Sequence, residues 1–177
     1  RVQLALAQGD LATAQVWAAQ AVAPARTPQS NAHLELTPAR LLLAQGEKAA
    51  AAAALEKAVT AASEVPWGAG LVEIRTLQSL AAETPAQALE YLRQALALAQ
   101  PEGYIRTFVD KGEPVRVLLE RLKAQGGELK GYIQTLLAAF AGAERPLPTQ
   151  SLVDRLSERE LEVLRLMAQG LSNGDIA

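Results

Sequence analysis

The chain reads as all-α, and three observations carry that reading. Ala and Leu dominate its 177 residues, and aromatic residues make up only 4% of them. Ala and Leu lose little side-chain freedom in a helix, whereas the β-branched and aromatic residues that suit pleated sheet are the sparse ones. No window sustains the period-2 alternation of a half-buried strand, and no Asn-Gly or Asp-Gly turn separates apolar runs; Asn173-Gly174 follows Ser172 in a helical context. Helix-closing and helix-opening residues also recur at one fixed spacing, and that spacing organises the elements in order.

The spacing is 37 residues. Ala7-Gln8-Gly9-Asp10 aligns with Ala44-Gln45-Gly46-Glu47. Ala12, Ala14, Ala21 and Val22 then fall on Ala49, Ala51, Ala58 and Val59, and next on Ala86, Ala88, Ala95 and Leu96. Each copy reads as helix, tight turn, helix. Gly9 and Gly46 supply the positive-φ position that closes one helix before the next begins. In the third copy Thr84 caps and Pro85 takes the first helical position, and Thr37-Pro38 is expected to open a helix in the same way. Ala14, Ala51 and Ala88, then Ala21, Ala58 and Ala95, place small residues on one face of each second helix, so paired helices can approach closely. This pattern resembles the tetratricopeptide repeat, in a version longer than its usual period of about 34 residues. A generic α-solenoid or bundle is the competing reading.

The register fails after Gln100. Pro101–Asp110 reads as a short amphipathic helix, Lys111-Gly112 as a break, Glu113 to Lys123 as a helix and Gly126-Gly127 as another break. A last helix follows from about Glu128 to Ala141, and this region is expected to be a degenerate repeat capping the stack. We therefore expect a helical-repeat domain over 1–141. Residues 142–155, with Pro146 and Pro148 and little apolar pattern, read as a linker.

Residues 156–177 carry the sharpest signal. Ser157-Glu158-Arg159-Glu160 is a capping box, in which Ser157 accepts from the Glu160 backbone while the Glu160 carboxylate reaches back. Leu161, Leu164 and Ala168 share one face, Gly170 closes the helix, and Ser172-Asn173-Gly174-Asp175 opens another. Two helices joined by a short turn suit a helix-turn-helix, although any corner between solenoid helices has the same outline. The string itself is more specific. From Leu156-Ser157 through Arg159-Glu160, Val163-Leu164 and Ala168-Gln169-Gly170-Leu171-Ser172-Asn173 to Ile176-Ala177, it closely resembles the opening of the LuxR-type DNA-binding domain. Tyr104–Asp110 and Tyr132–Phe140 also resemble the stretch that precedes that domain in the large ATP-binding LuxR-type transcriptional regulators.

The resemblance implies a signal-sensing and relay portion of such a regulator, with DNA as partner through the complete terminal domain and not through this fragment. It implies ATP only for a nucleotide-binding module ahead of the repeats. No Gly-x-x-x-x-Gly-Lys-Ser/Thr occurs here, so no cofactor is assigned to this chain. The chain ends at Ala177, inside the second of the expected helices, before any recognition helix that would enter the major groove. Ser172 and Asn173 are candidate phosphate contacts through a helix N-terminus, with plain helix capping as the competing reading. Gly174 and Asp175 stand where family members often carry a basic residue.

In a tetratricopeptide register the first helix of each pair lines the concave face. That face would carry His33, Leu36, Arg40 and Leu43 from one repeat, and Gly70, Glu73, Leu77 and Leu80 from the next. His33, Arg40 and Glu73 are the candidate groove residues for a small-molecule inducer or a protein partner, against the plainer reading of solvated solenoid charges. Self-association is compatible with the architecture. A free-standing helical-repeat adaptor is the alternative function.

Other classes are excluded more simply. With no Cys and one His, cysteine zinc sites, disulfide scaffolds, thiol catalysis and two-histidine metal sites fall away. No Gly-x-Ser-x-Gly elbow occurs, and Glu158, Glu160 and Glu162 read as helix charges, so an enzyme is not expected. A net charge of −2 argues against a basic nucleic-acid binder as a whole. The longest apolar run, Ala49–Leu55, is far below the roughly 20 residues of a membrane helix. A cytoplasmic location without membrane partners is the expectation. The chain begins at Arg1 and reads as a piece of something longer.

Overall fold

The computed structural model describes residues 2–20, 28–63, 68–143, 157 and 159–162. The chain divides into two compact units, Arg1–Ala141 and Gly142–Ala177. Among the described residues all regular structure is helical. The helices are α1 (Val2–Ala7), α2 (Leu11–Gln20), α3 (Pro28–Ala44), α4 (Lys48–Ser63), α5 (Gly68–Ala81), α6 (Pro85–Ala99), α7 (Arg106–Val109), α8 (Glu113–Gln125) and α9 (Lys130–Ala143), the last ending two residues past the first unit.

The helices pack in consecutive antiparallel-type pairs, α1 with α2, α3 with α4 and α5 with α6, and each first helix also meets the first helix of the next pair. That neighbour-to-neighbour stacking defines a solenoid. The turns follow from their sequence. Gly9 and Gly46 sit at φ +74° and +81°. Around each, the amide after the glycine donates back five residues, Asp10 to the Ala5 carbonyl and Glu47 to the Leu42 carbonyl, both at 2.9 Å. The glycine amides bond to Leu6 and Leu43, each at 3.1 Å, which completes the helix-closing motif only a residue tolerant of positive φ can host. In the third pair Thr84 is the N-cap, accepting from the Gln87 amide at 3.3 Å, with Pro85 in the first turn.

The small-residue stripe is buried as its spacing requires. Ala14, Ala51, Ala58, Ala88 and Ala95 are all buried, while Ala21 lies outside the described residues. Two apolar clusters result. Leu36, Ala39, Ala51, Leu55, Ile74 and Leu77 belong to one. Val72, Leu92, Leu96, Phe108, Leu119, Ile133 and Leu136 belong to the other. Each fully buried Leu or Ile stabilises the fold by about 1.5–3 kcal/mol before cavity effects. Helices α7 to α9 close the stack: Phe108 meets the Tyr132 ring edge-on, centroids 6.4 Å apart at 85°. The Tyr132 hydroxyl donates to the Tyr104 carbonyl.

Two local expectations change. Pro38 does not start a helix; it lies inside α3, which begins at Pro28. A mid-helix proline loses a hydrogen bond and crowds the preceding turn. Here Leu36 and Ala39 on either side are fully buried in the first cluster, and their packing holds the helix across it. At the other end, α9 runs through Gly142 and Ala143, two residues into the segment read as linker. Glycine permits that continuation. Residues 144–156 lie outside the described residues.

Candidate functional site

The concave face of the first unit is a groove of about 840 Å³. Its described lining comes from first helices and the closing segment: Leu4 and Leu6 of α1, Arg40, Leu43 and Ala44 of α3, Glu73, Leu77 and Leu80 of α5, then Arg106, Thr107, Asp110 and Lys111. Helices α2, α4 and α6 supply none of it. A solenoid of helix pairs produces this division, because the second helix of each pair stands behind the first.

Charge is concentrated at one place on the wall. Glu73 accepts from two cations on different elements: Arg40 Nη2 lies 2.8 Å from Oε2, and Lys111 Nζ lies 2.6 Å from Oε1. The three side chains are only 7%, 14% and 15% exposed for Arg40, Glu73 and Lys111. Burial is the largest single influence on the Glu73 carboxyl and pushes its pKa up. The charges of Lys111 and Arg40, with their hydrogen bonds, together outweigh it and hold the carboxyl below its ordinary value of 4.5. Glu73 is therefore ionised at neutral pH. Nearby, Arg106 pairs with Asp110 at 2.6 Å on the exposed rim. Behind the groove Gln78 of α5 donates to Glu56 of α4 at 3.0 Å and accepts from Arg75 at 2.8 Å, while Arg75 stacks over Tyr91 of α6, 5.9 Å from its centroid.

Of the residues assigned to this face from sequence, Arg40, Leu43, Glu73, Leu77 and Leu80 line it. Arg40 and Glu73 contact each other directly. Leu36 does not line the groove; it is fully buried between α4 and α5, one helical turn from Arg40. Gly70 is likewise buried. The His33 side chain lies outside the described residues. Sequence reasoning missed Lys111, which had been read only as part of a break. It lies 38 residues after Glu73, within one residue of the repeat period, and that spacing was the available signal.

Comparison with protein families gives this architecture a relationship. Residues 1–125 match the model of the MalT-like TPR region. The chain belongs to that family. Residues 154–177 match the bacterial regulatory proteins of the luxR family, so the MalT-like repeats are followed by the opening of a regulatory DNA-binding domain. Together the two matches mark a DNA-binding transcriptional regulator, a class whose work is regulatory and not enzymatic. No curated protein and no solved structure matches the chain.

In the second unit the start of the luxR-type match is visible. The Ser157 amide and hydroxyl both donate to Glu160 Oε2 at 2.7 Å, and the Glu160 amide returns to Ser157 Oγ at 3.4 Å. Residues 159–162 are helical behind that cap. The hydrogen bonds from Ser157 hold the Glu160 carboxyl below its ordinary range. Ser172 and Asn173 lie outside the described residues. Among the described residues no group of His, Cys, Asp and Glu is arranged to hold a metal ion, and no helix is long and apolar enough to cross a membrane.

Proposed function

We propose that this chain is the sensing and relay portion of a transcriptional regulator acting in the cytoplasm. Its MalT-like repeats receive an inducer or protein partner in the concave groove, and the attached helix-turn-helix engages DNA. The observation that carries this reading is the coexistence, on one chain, of a charged groove built from repeat helices and the opening of a luxR-type domain. Such a groove offers apolar area with a few fixed polar groups, the usual constitution of a ligand site. Ser172 and Asn173 would meet phosphate at the mouth of the second helix of that domain.

Reading the coding sequence beyond Ala177 tests the DNA arm first. About 40 further residues containing a helix that can fill the major groove are expected. The protein carrying them should give a footprint on its own promoter region, and occupancy should respond to a ligand held by the repeats. A stop codon at that point would remove the DNA arm and leave a helical-repeat adaptor. By mass action, a ligand changes DNA occupancy only through different affinity for the two states of the protein.

A further inference from the structure

We infer that the groove takes a short extended segment of a protein partner, in polyproline II form, with an apolar residue at every third position seated across Leu6, Leu43 and Leu80. This names the partner class for the sensing surface proposed above and rests on that reading.

Register is the first argument. Among the described lining residues, a single repeat position faces the groove from all three first helices, and it is leucine each time: Leu6 on α1, Leu43 on α3 and Leu80 on α5, 37 residues apart. All three are half-buried. Leu43 packs against the first apolar cluster and Leu80 against the second, so both are held from behind. Packed helices lie about 8–10 Å apart, which puts about 16–20 Å between the outer two leucines.

That spacing selects the backbone of the occupant. Polyproline II turns once in three residues and rises about 3.1 Å per residue, so every third side chain falls on one side at steps of about 9.3 Å. A β-strand presents one face at steps of about 6.6–6.8 Å and is out of step by the second leucine. An α-helix matches at every seventh residue, but over this length it fills about 1,400 Å³ with its side chains, against the 840 Å³ of the groove. Polyproline II also makes no internal hydrogen bonds and keeps its amides in water, so an open groove buries its apolar stripe without stranding polar groups.

Area and charge narrow the partner. A strip two helix steps long and about 10 Å wide offers about 200 Å², far below the roughly 800 Å² per side of a stable folded interface. A linear segment therefore fits where a second copy of the chain does not. No charged residue occurs in α1, and the groove's charged residues come from α3, α5 and the closing segment. The uncharged end of the segment thus lies over α1, and its polar end meets the Arg106–Asp110 pair on the rim.

Fluorescence anisotropy of labelled peptides titrated with the 177-residue chain tests the assignment. The matched peptide is a threefold repeat of Leu-Pro-Ser; the mismatched one has the same composition with its leucines at every second position. The matched peptide should bind saturably, one per chain, about tenfold tighter than the mismatched one. Leu43→Ser should bring it down to the mismatched level, and replacing the middle leucine of the peptide with Ser should then cost little more, because both changes remove one contact. Should Leu43→Ser not fold, Leu6→Ser on the terminal helix and the wild-type ratio decide. Equal binding of the two peptides, weakened alike by Leu43→Ser, overturns the three-residue spacing while leaving the groove as the partner surface. Binding that ignores both leucine substitutions, or no saturable binding, overturns the inference entirely, and the regulator reading is then judged by its DNA test.

Discussion

Replacing Glu73 with Gln keeps the size and shape of the side chain but removes the one carboxylate that Arg40 and Lys111 share. An amide oxygen can still accept from one cation, yet its NH₂ must then face the other. Breaking a buried ion pair from one side costs about 3–5 kcal/mol when the remaining charge is wholly enclosed. Here the cluster borders an open groove, and Glu73 and Lys111 keep 14% and 15% exposure, so water offsets part of that. We expect a loss of about 2–3 kcal/mol. With a urea m-value in the usual range of about 1–3 kcal/mol per molar, the midpoint followed by circular dichroism should fall by about 0.7–3 M at unchanged slope. The pH dependence gives a second readout. Because the folded carboxyl is held below 4.5, its contribution is complete above that value and is lost as pH falls through the lower folded one. The gap between wild type and Glu73→Gln should thus be flat near neutrality and shrink in acid. A variant within about 0.5 kcal/mol of wild type at neutral pH, or a gap that ignores acid, would refute the reasoning.

Three further outcomes follow from the same structure. Gly46→Ala places a Cβ that meets nothing within 4 Å, but at φ +81°, so the cost is backbone strain alone, about 1–2 kcal/mol in denaturant melts. Ala51→Leu forces three extra carbons into the cluster shared by α3, α4 and α5 and should destabilise by about 1–3 kcal/mol; a melt like that of wild type would show that those helices are not closely apposed. Burial pushes the Tyr132 hydroxyl up to about 12 from 10.0, so ultraviolet titration should show one tyrosine ionising late and Tyr132→Phe should remove that step. The stability carried by neutral Tyr132 is complete below pH 10 and lost as pH rises through about 12.

What the sequence made legible was whatever local chemistry decides. Gly9, Gly46 and the Thr84-Pro85 pair announce their turns because positive φ and capping are properties of a few neighbouring residues. The alanine stripe was legible for a related reason: its period is that of a helix face, and the face is the one that packs. Pro38 misled because the local rule was outweighed by Leu36 and Ala39, whose burial depends on helices distant in sequence. The groove was half legible. Arg40 and Glu73 follow from the repeat register and meet where α3 stacks on α5, but the arrival of Lys111 depends on how the closing segment folds back onto α5. No local pattern encodes that return.

Helix α5 is a member of both apolar clusters: Ile74, Leu77 and Ala81 belong to one and Val72 to the other. Its inner side chains, Thr76 and Ser79, satisfy their hydroxyls on the carbonyls of Val72 and Thr76, each at 2.7 Å, so no polar atom there needs water. In a linear stack, fraying normally enters from the ends and advances repeat by repeat. An amide in the middle of α5 is shielded by two neighbourhoods at once and exchanges with solvent only after one of them has opened and α5 has lost its hold on the other. Hydrogen exchange should therefore be slowest at the α5 amides among those of the repeat array, and Glu73 rides on that same rod. The carboxylate at the groove's charge centre thus rides on the helix held by both clusters, with Lys111 reaching it from the closing segment.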